Sequence, residues 1–286
     1  MTIAAPSVQL ALRLTAIELL LRPMGPWTVR PLILIASGAI LLWPGALHSG
    51  VVWYGVAALT ATRIASDWPL ADNHIYLLAY WALAVALALG TPDPARTLEQ
   101  SGRRLLVAAF LLAVLWKSVL SPDYLDGRFF RITWLTDPRL EDAVLLVGGF
   151  SPEQLELNRA ALQPLPEGAE LLDPRRTFEP PRFEWLVSAS TWGVLAIEAL
   201  IAVAWLLPLR GHAKLAPHLL LLLFCTFTYA FAPVAGFGWL LLAIGVALTG
   251  PHQRALRAAY AGTWFLVLLY SEVPWAGVLV DWWQSG

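Results

Sequence analysis

The stretch LADNHIYLLAYWALAVALALG, Leu70 to Gly90, decides how this chain is read. It passes from a polar cluster, Asp72-Asn73-His74, into an apolar segment that reaches Leu89 without a single charge. A bilayer core of about 30 Å needs roughly 17 to 25 mainly apolar residues per helix, and this segment meets that need. Its polar mouth has two readings. Asp72 or Asn73 can cap the first turn by accepting bonds from orphan N–H groups, leaving His74 in the headgroup zone. Alternatively, the three residues form half of a chemical site whose other half lies elsewhere in the chain.

The rest of the sequence repeats the pattern. Of 286 residues, 58% are hydrophobic and only 14% charged, with a mean hydropathy of +0.63. Soluble domains carry about a quarter charged residues, so this composition indicates an integral membrane protein. Fifteen tryptophans fit the aromatic belts found where helices cross the headgroup region. A net charge of −1 gives no signal for nucleic acid, and the single cysteine, Cys225, excludes an intrachain disulfide. The N-terminal residues lack the basic region and small-residue cleavage site of a signal peptide.

Nine apolar segments follow, at roughly 6–22, 31–47, 51–67, 73–90, 103–120, 184–208, 216–231, 235–250 and 258–280, separated by Pro/Gly-rich punctuation. The first contains Arg13 and Glu18, so it either spans or lies in the interface as an amphipathic helix. The expected fold is all-α: one transmembrane bundle of 8–9 spans over residues 1–286, with a long extracytoplasmic loop, 121–183, between spans 5 and 6. Basic residues collect in three short loops (Arg96, Arg103 and Arg104; Arg210 and Lys214; Arg254 and Arg257), which the positive-inside rule places in the cytoplasm. Arg22 and Arg30 fall on the opposite side. The N-terminus is then cytoplasmic and the C-terminus extracytoplasmic, in a plasma or inner membrane. The long loop carries 11 acidic residues against 7 arginines. Within it, Ser151-Pro152 opens a short helix as cap and first helical residue, a second short helix runs through LEDAVLLVGG, and 163–183 forms an extended loop over the bundle mouth.

Ionisable groups inside spans are costly and are functional candidates by default. Lys117 stands one turn before the Ser121-Pro122 break, at a depth similar to His74. It is either a lysine snorkelling to the interface or an amine turned to the bundle interior, where desolvation favours the neutral, basic form. Glu198 is near the centre of its segment and must pair, be protonated or line a wet cavity. Arg63 and Asp67 have the spacing of an i,i+4 ion pair. The histidines at 212, 218 and 252 have no ligand-like spacing, and no metal site is expected. P-loop, GxGxxG, HExxH and CxxC motifs are absent.

Three stretches share a further likeness. Asp72-Asn73-His74-Ile75-Tyr76-Leu77 resembles the helix start Asn-Asn-His-x-Tyr-Leu of the vitamin K-dependent γ-glutamyl carboxylases. LLVAAFLLAVLWKSVLSPDYLDGRFFRITWL resembles that family's apolar helix ending in its catalytic lysine, with Lys117, Asp126-Gly127, Phe130 and Trp134 in the matching places. LFCTFTYAFAPVAGFGWLLL is similar in length and apolar pattern to a later helix pair, although Phe224-Cys225 stands where the family has Phe-His. The order and spacing are those of the membrane portion of that superfamily, the HTTM proteins. In the family, a neutral lysine deprotonates a reduced naphthoquinol, reaction with oxygen yields a strong base, a substrate glutamate loses its γ-proton, and carbon dioxide adds.

The resemblance implies a quinol-dependent carboxylase-like lyase acting on reduced vitamin K or a menaquinol-like quinone. Lys117 would be the base, His74 would position or protonate intermediates, and Asn73 would orient His74. Tyr76, Trp116 and Trp134 are candidate walls for the quinone ring, and Glu198 a proton-handling or structural partner. The implied partners are membrane lipid, quinone and a protein substrate or membrane partner. Two other readings accompany it: a non-catalytic membrane subunit or maturation partner on the same scaffold, and a small proton-coupled transporter resting on Glu198.

Overall fold

The computed structural model describes residues 5–22, 25–164, 177–231, 234–273 and 275–285, and among these every regular element is a helix. In chain order they are α1 (Pro6–Leu21), α2 (Arg30–Leu42), α3 (Pro44–Leu47), α4 (Gly50–Asp67), α5 (Asn73–Leu89) and α6 (Pro94–Leu115). A π-helical turn, Trp116–Leu120, extends α6. The polar segment holds α7 (Pro122–Leu125), α8 (Arg128–Thr136), α9 (Glu141–Gly148) and α10 (Pro152–Leu162). The chain then returns to long apolar helices: α11 (Pro181–Leu206), α12 (Ala216–Phe231), α13 (Ala235–Ala247), α14 (Arg254–Glu272) and α15 (Trp275–Ser285).

Two helical stretches, Pro181–Leu206 and Gly211–Phe231, are long and apolar enough to cross a membrane. Arg30–Leu42, Asn73–Leu89 and Gly236–Ala247 are apolar but shorter. The expected segment boundaries change for identifiable reasons. Segment 31–47 is broken at Trp43 because Pro44 cannot continue the helix, and segment 258–280 is broken between Glu272 and Trp275. Segment 103–120 begins earlier, at Pro94.

At the centre lies α13, packed by α1, α5, α6, α12 and α14. Trp239 through Ile244 are completely buried on every side, the signature of a helix enclosed by others. Glycine allows this close approach. A β-carbon on Gly238 would lie 2.7 Å from Tyr229 Cδ2, and one on Gly245 would lie 2.7 Å from Tyr260 Cζ. Small residues at helix interfaces let neighbouring elements come this near. Indole hydrogen bonds add specific ties, with Trp81 Nε1 donating to Thr15 Oγ1 at 3.0 Å between α5 and α1. The Arg63–Asp67 ion pair forms as the spacing predicts, at 2.5 Å.

The basic loops gather at one end of the bundle. Arg103 Nε donates to the Trp205 carbonyl at 2.6 Å and Arg103 Nη2 to the Leu207 carbonyl at 3.0 Å, closing the C-terminus of α11. The neighbouring Gly102 faces Leu248, just beyond the C-terminus of α13, and Arg257 reaches the Gly250 carbonyl at 2.6 Å.

The polar segment forms a second layer. Trp134, Leu140, Val144, Phe150 and Leu155 pack with Phe183, Leu186 and Val187 of α11 into a separate apolar cluster. Ser151 and Gln154 cap α10 reciprocally, Gln154 N–H donating to Ser151 Oγ and Ser151 N–H to Gln154 Oε1. Asn158 clamps the returning chain, donating to the Phe178 carbonyl at 2.9 Å and accepting from Phe178 N–H at 2.7 Å. Of the expected extended loop, residues 165–176 lie outside the described residues.

α15 docks on α9, and a β-carbon at Gly277 would lie 2.9 Å from Asp142 Oδ2. Burial, with Glu141 and Asp281 nearby, raises the Asp142 carboxyl above its ordinary value. The folded state therefore binds this proton more tightly than the unfolded chain, so stability falls as pH rises through the raised folded value. Asp142→Asn is expected to raise the melting temperature at neutral pH by about 2 °C, with the gain vanishing below about pH 4. Thermal unfolding at the two pH values checks this.

Candidate functional site

Two polar clusters lie within the apolar bundle. The first forms where α6 gives way to the π-helical turn Trp116–Leu120, and Ser121-Pro122 ends the helix there. Such π-helical turns are frequent at functional sites because the extra residue re-aims the side chains. Here Lys117 is aimed at α11, and its ammonium donates to Glu198 Oε1. The two residues are 81 positions apart, so only tertiary packing joins them. Glu198 is 6% exposed, and its second oxygen, Oε2, is buried without a partner among the described residues.

Lys117 Nζ also lies 5.3 Å from the centroid of the Tyr124 ring, within cation–π range. Tyr124 stands in α7, where the Ser121-Pro122 break folds the chain back beneath the lysine, and its buried hydroxyl has no partner among the described residues. Trp116, Val119 and Leu120 beside the lysine are exposed, so the pair stands next to an outward-facing apolar surface.

The second cluster forms at the start of α5. Asp72 occupies the cap position, but its side chain makes no cap hydrogen bond, and Asp72 and Asn73 are both exposed. His74 is half-buried and turned toward α13. The place a Gly236 β-carbon would take is 3.5 Å from His74 Nε2 and 4.0 Å from Glu18 Oε1 of α1. Glu18 is completely buried, and neither of its carboxylate oxygens has a hydrogen-bond partner among the described residues. Arg22, one turn on, is turned instead to the Trp239 ring at 5.3 Å and to Glu272 at 3.8 Å.

In the first turn of α13, Gly236 faces His74 and Glu18, while Gly238 faces Tyr229. The structure thus joins Lys117 with Glu198 and places His74 across the Gly236 backbone from a different carboxyl group, that of Glu18. Among the described residues Asn73 makes no hydrogen bond to His74.

The three aromatic residues expected to wall a quinone have separate surroundings. Trp116 is exposed and Tyr76 half-buried, whereas Trp134 lies in the second apolar cluster with its Nε1 donating to Ser190 Oγ at 3.1 Å. Phe224-Cys225 is buried in the main core, with Phe224 edge-on to Phe110 at 5.2 Å. His218 is tied to Tyr260 through Nδ1 at 2.9 Å.

Sequence reasoning missed Tyr124 and Glu18 as site residues. The signal for Tyr124 was the Ser121-Pro122 break, which folds the next few residues back toward Lys117. Glu18 stands in a segment whose sequence allows either a span or an interfacial helix, and in the structure its side chain is completely buried. No protein-family model, curated protein or solved structure matches this chain.

Proposed function

We propose that this chain is a polytopic membrane protein of the vitamin K-dependent carboxylase-like kind, in which Lys117 and Glu198 handle a proton for a reduced naphthoquinone carried in the lipid. The observation that carries the reading is the Lys117–Glu198 pair, held by a π-helical turn beside an exposed apolar surface.

Membrane embedding is supported by the outer surface of the bundle. Trp27, Trp43, Trp68, Trp116, Trp282 and Trp283 are exposed at or near helix ends, as in an aromatic belt. Leu32 and Ile35 of α2, Leu111 and Leu112 of α6, and Leu219, Leu223 and Phe227 of α12 present exposed apolar faces. Soluble monomers rarely expose contiguous apolar surface on this scale. On this reading the shorter helices of 13 to 19 residues also lie within the bilayer, assisted by tilt and local thinning.

The residues around Lys117 fit a lipophilic aromatic carrying hydroxyl groups. The Tyr124 hydroxyl supplies an unpaired donor, the amine a base, and the exposed Trp116, Val119 and Leu120 an opening toward lipid. When bound, a reduced naphthoquinone would supply four electrons to oxygen, two from the hydroquinone and two from its ring double bond, together with its two hydroxyl protons, giving the quinone epoxide and water. The chain's own part is proton handling. Glu198 can take the lysine proton in a dry setting, leaving a neutral amine and a neutral acid with no net change in charge. The free Lys117 amine is then a base next to the lipid, and the low-water surroundings protect it from quenching.

Purified protein in nanodiscs, supplied with reduced vitamin K and oxygen, is expected to form epoxide, and Lys117→Ala to lower the yield at least about 100-fold. Absence of epoxide from the unaltered protein overturns the quinol reading. A second reading, a non-catalytic membrane subunit, is favoured by the same ion pair, since Lys117 then serves as a structural tie between α6 and α11. Under it, Lys117→Ala alters stability and there is no epoxide to lose.

A further inference from the structure

The second cluster contains a buried acid that the proposed quinol chemistry does not use. Glu18 is completely buried, both its oxygens lack partners among the described residues, and a half-buried imidazole stands across the Gly236 backbone from it. An ionised carboxylate without donors or a counter-charge in hydrogen-bonded contact is strongly disfavoured in such a place, whereas the neutral acid is not. His74 leads outward, one residue from the exposed Asn73 and two from the exposed Asp72. Because residue 236 has no side chain, the space over its Cα is within reach of both groups, 3.5 Å from His74 Nε2 and 4.0 Å from Glu18 Oε1.

We propose that Glu18 and His74 form a proton-transfer pair, bridged by one water over Gly236, that binds a proton inside the bundle and exchanges it with the face where α5 begins. In the inward step the Nε2–H bond of protonated His74 breaks and its electron pair stays on nitrogen. The water accepts that proton and passes another to Glu18 Oε1, where a carboxylate lone pair forms the new O–H bond. The outward step is the reverse, and no oxidant or reductant takes part.

The charged groups around the pair are few. Arg22 acts on both members, Asp72 acts on His74, and Arg139 of the polar layer lies in the field of Asp72. Glu272 of α14 draws the Arg22 guanidinium at 3.8 Å, while α13 carries no charged residue. Exchange with the outside runs through His74, whose neighbours Asn73 and Asp72 are exposed.

Infrared spectroscopy of the full chain in nanodiscs tests this directly and independently of any quinol. A protonated-acid carbonyl band is expected in the unaltered protein at about pH 7, absent in Glu18→Gln and shifted in Glu18→Asp. On transfer to deuterated water that band is expected to shift at least about tenfold more slowly in His74→Gln. Gly236→Ala should slow it too while leaving both titratable groups in place, since its methyl would make ordinary contact with His74, at 3.4 Å. A band unchanged in Glu18→Gln, or exchange unaffected by both His74→Gln and Gly236→Ala, overturns the proposal. Failure here leaves the quinol assay untouched, and failure of that assay leaves this result untouched.

Discussion

Replacing Lys117 with methionine is expected to lower the unfolding free energy by about 3 kcal/mol, and adding Glu198→Met is expected to return most of that loss. The asymmetry follows from burial. Glu198 is 6% exposed and accepts from Lys117 through one oxygen while the other has no partner among the described residues. Removing the ammonium leaves a carboxyl group in apolar surroundings without the one donor it has among the described residues. Removing both groups leaves two flexible apolar side chains that fill similar volume. A double-mutant cycle in chemical unfolding of the detergent-solubilised protein measures the coupling. If Lys117→Met alone is neutral, the pair is not holding α6 to α11.

The second large effect is expected at Gly245, where an alanine would cost about 3 kcal/mol. The added β-carbon would overlap the Tyr260 ring, lying 2.7 Å from Cζ and closer still to Cε1. That ring is completely buried and its hydroxyl is tied to His218 Nδ1 at 2.9 Å, so it has little freedom to move aside. The same substitution at Gly262 is the internal control. Nothing lies within 4 Å of a β-carbon there, so Gly262→Ala should be neutral or stabilise α14 by up to about 1 kcal/mol. Opposite outcomes for two glycine-to-alanine changes on adjoining helices would establish α13 as the packed centre. Equal outcomes would contradict that packing.

What could be read from the sequence depended on whether the signal was local. The Ser151-Pro152 helix start and the Arg63–Asp67 pair each rest on residues within one turn of each other, and both form, whereas Asp72 takes the cap position without making the cap hydrogen bond. The all-helical class followed from composition and the long apolar segments. Segment ends were harder, because one proline decides whether a run such as 31–47 is one helix or two. The site was half legible. Lys117 and Glu198 stood out individually as charges where a bilayer excludes them, but their 81-residue separation hid the pairing. His74 was sought beside Lys117, whereas the packing of α1 and α5 on α13 gives it Glu18 as its neighbour. Glu18 is legible as a charge within the first segment, but its complete burial depends on helices that come more than two hundred residues later.

The central claim is that Lys117 and Glu198 act as one proton-handling unit on a lipid-borne quinol. Oxygen-dependent quinol oxidation by the unaltered protein, Lys117→Ala, Glu198→Gln and the double variant, in one nanodisc preparation, tests it most directly. Full activity is expected only in the unaltered protein, with each single variant down at least about 100-fold and the double variant no worse than Lys117→Ala, because residues acting as a unit are not additive. No oxidation by the unaltered protein, or losses that multiply across the two sites, would contradict it.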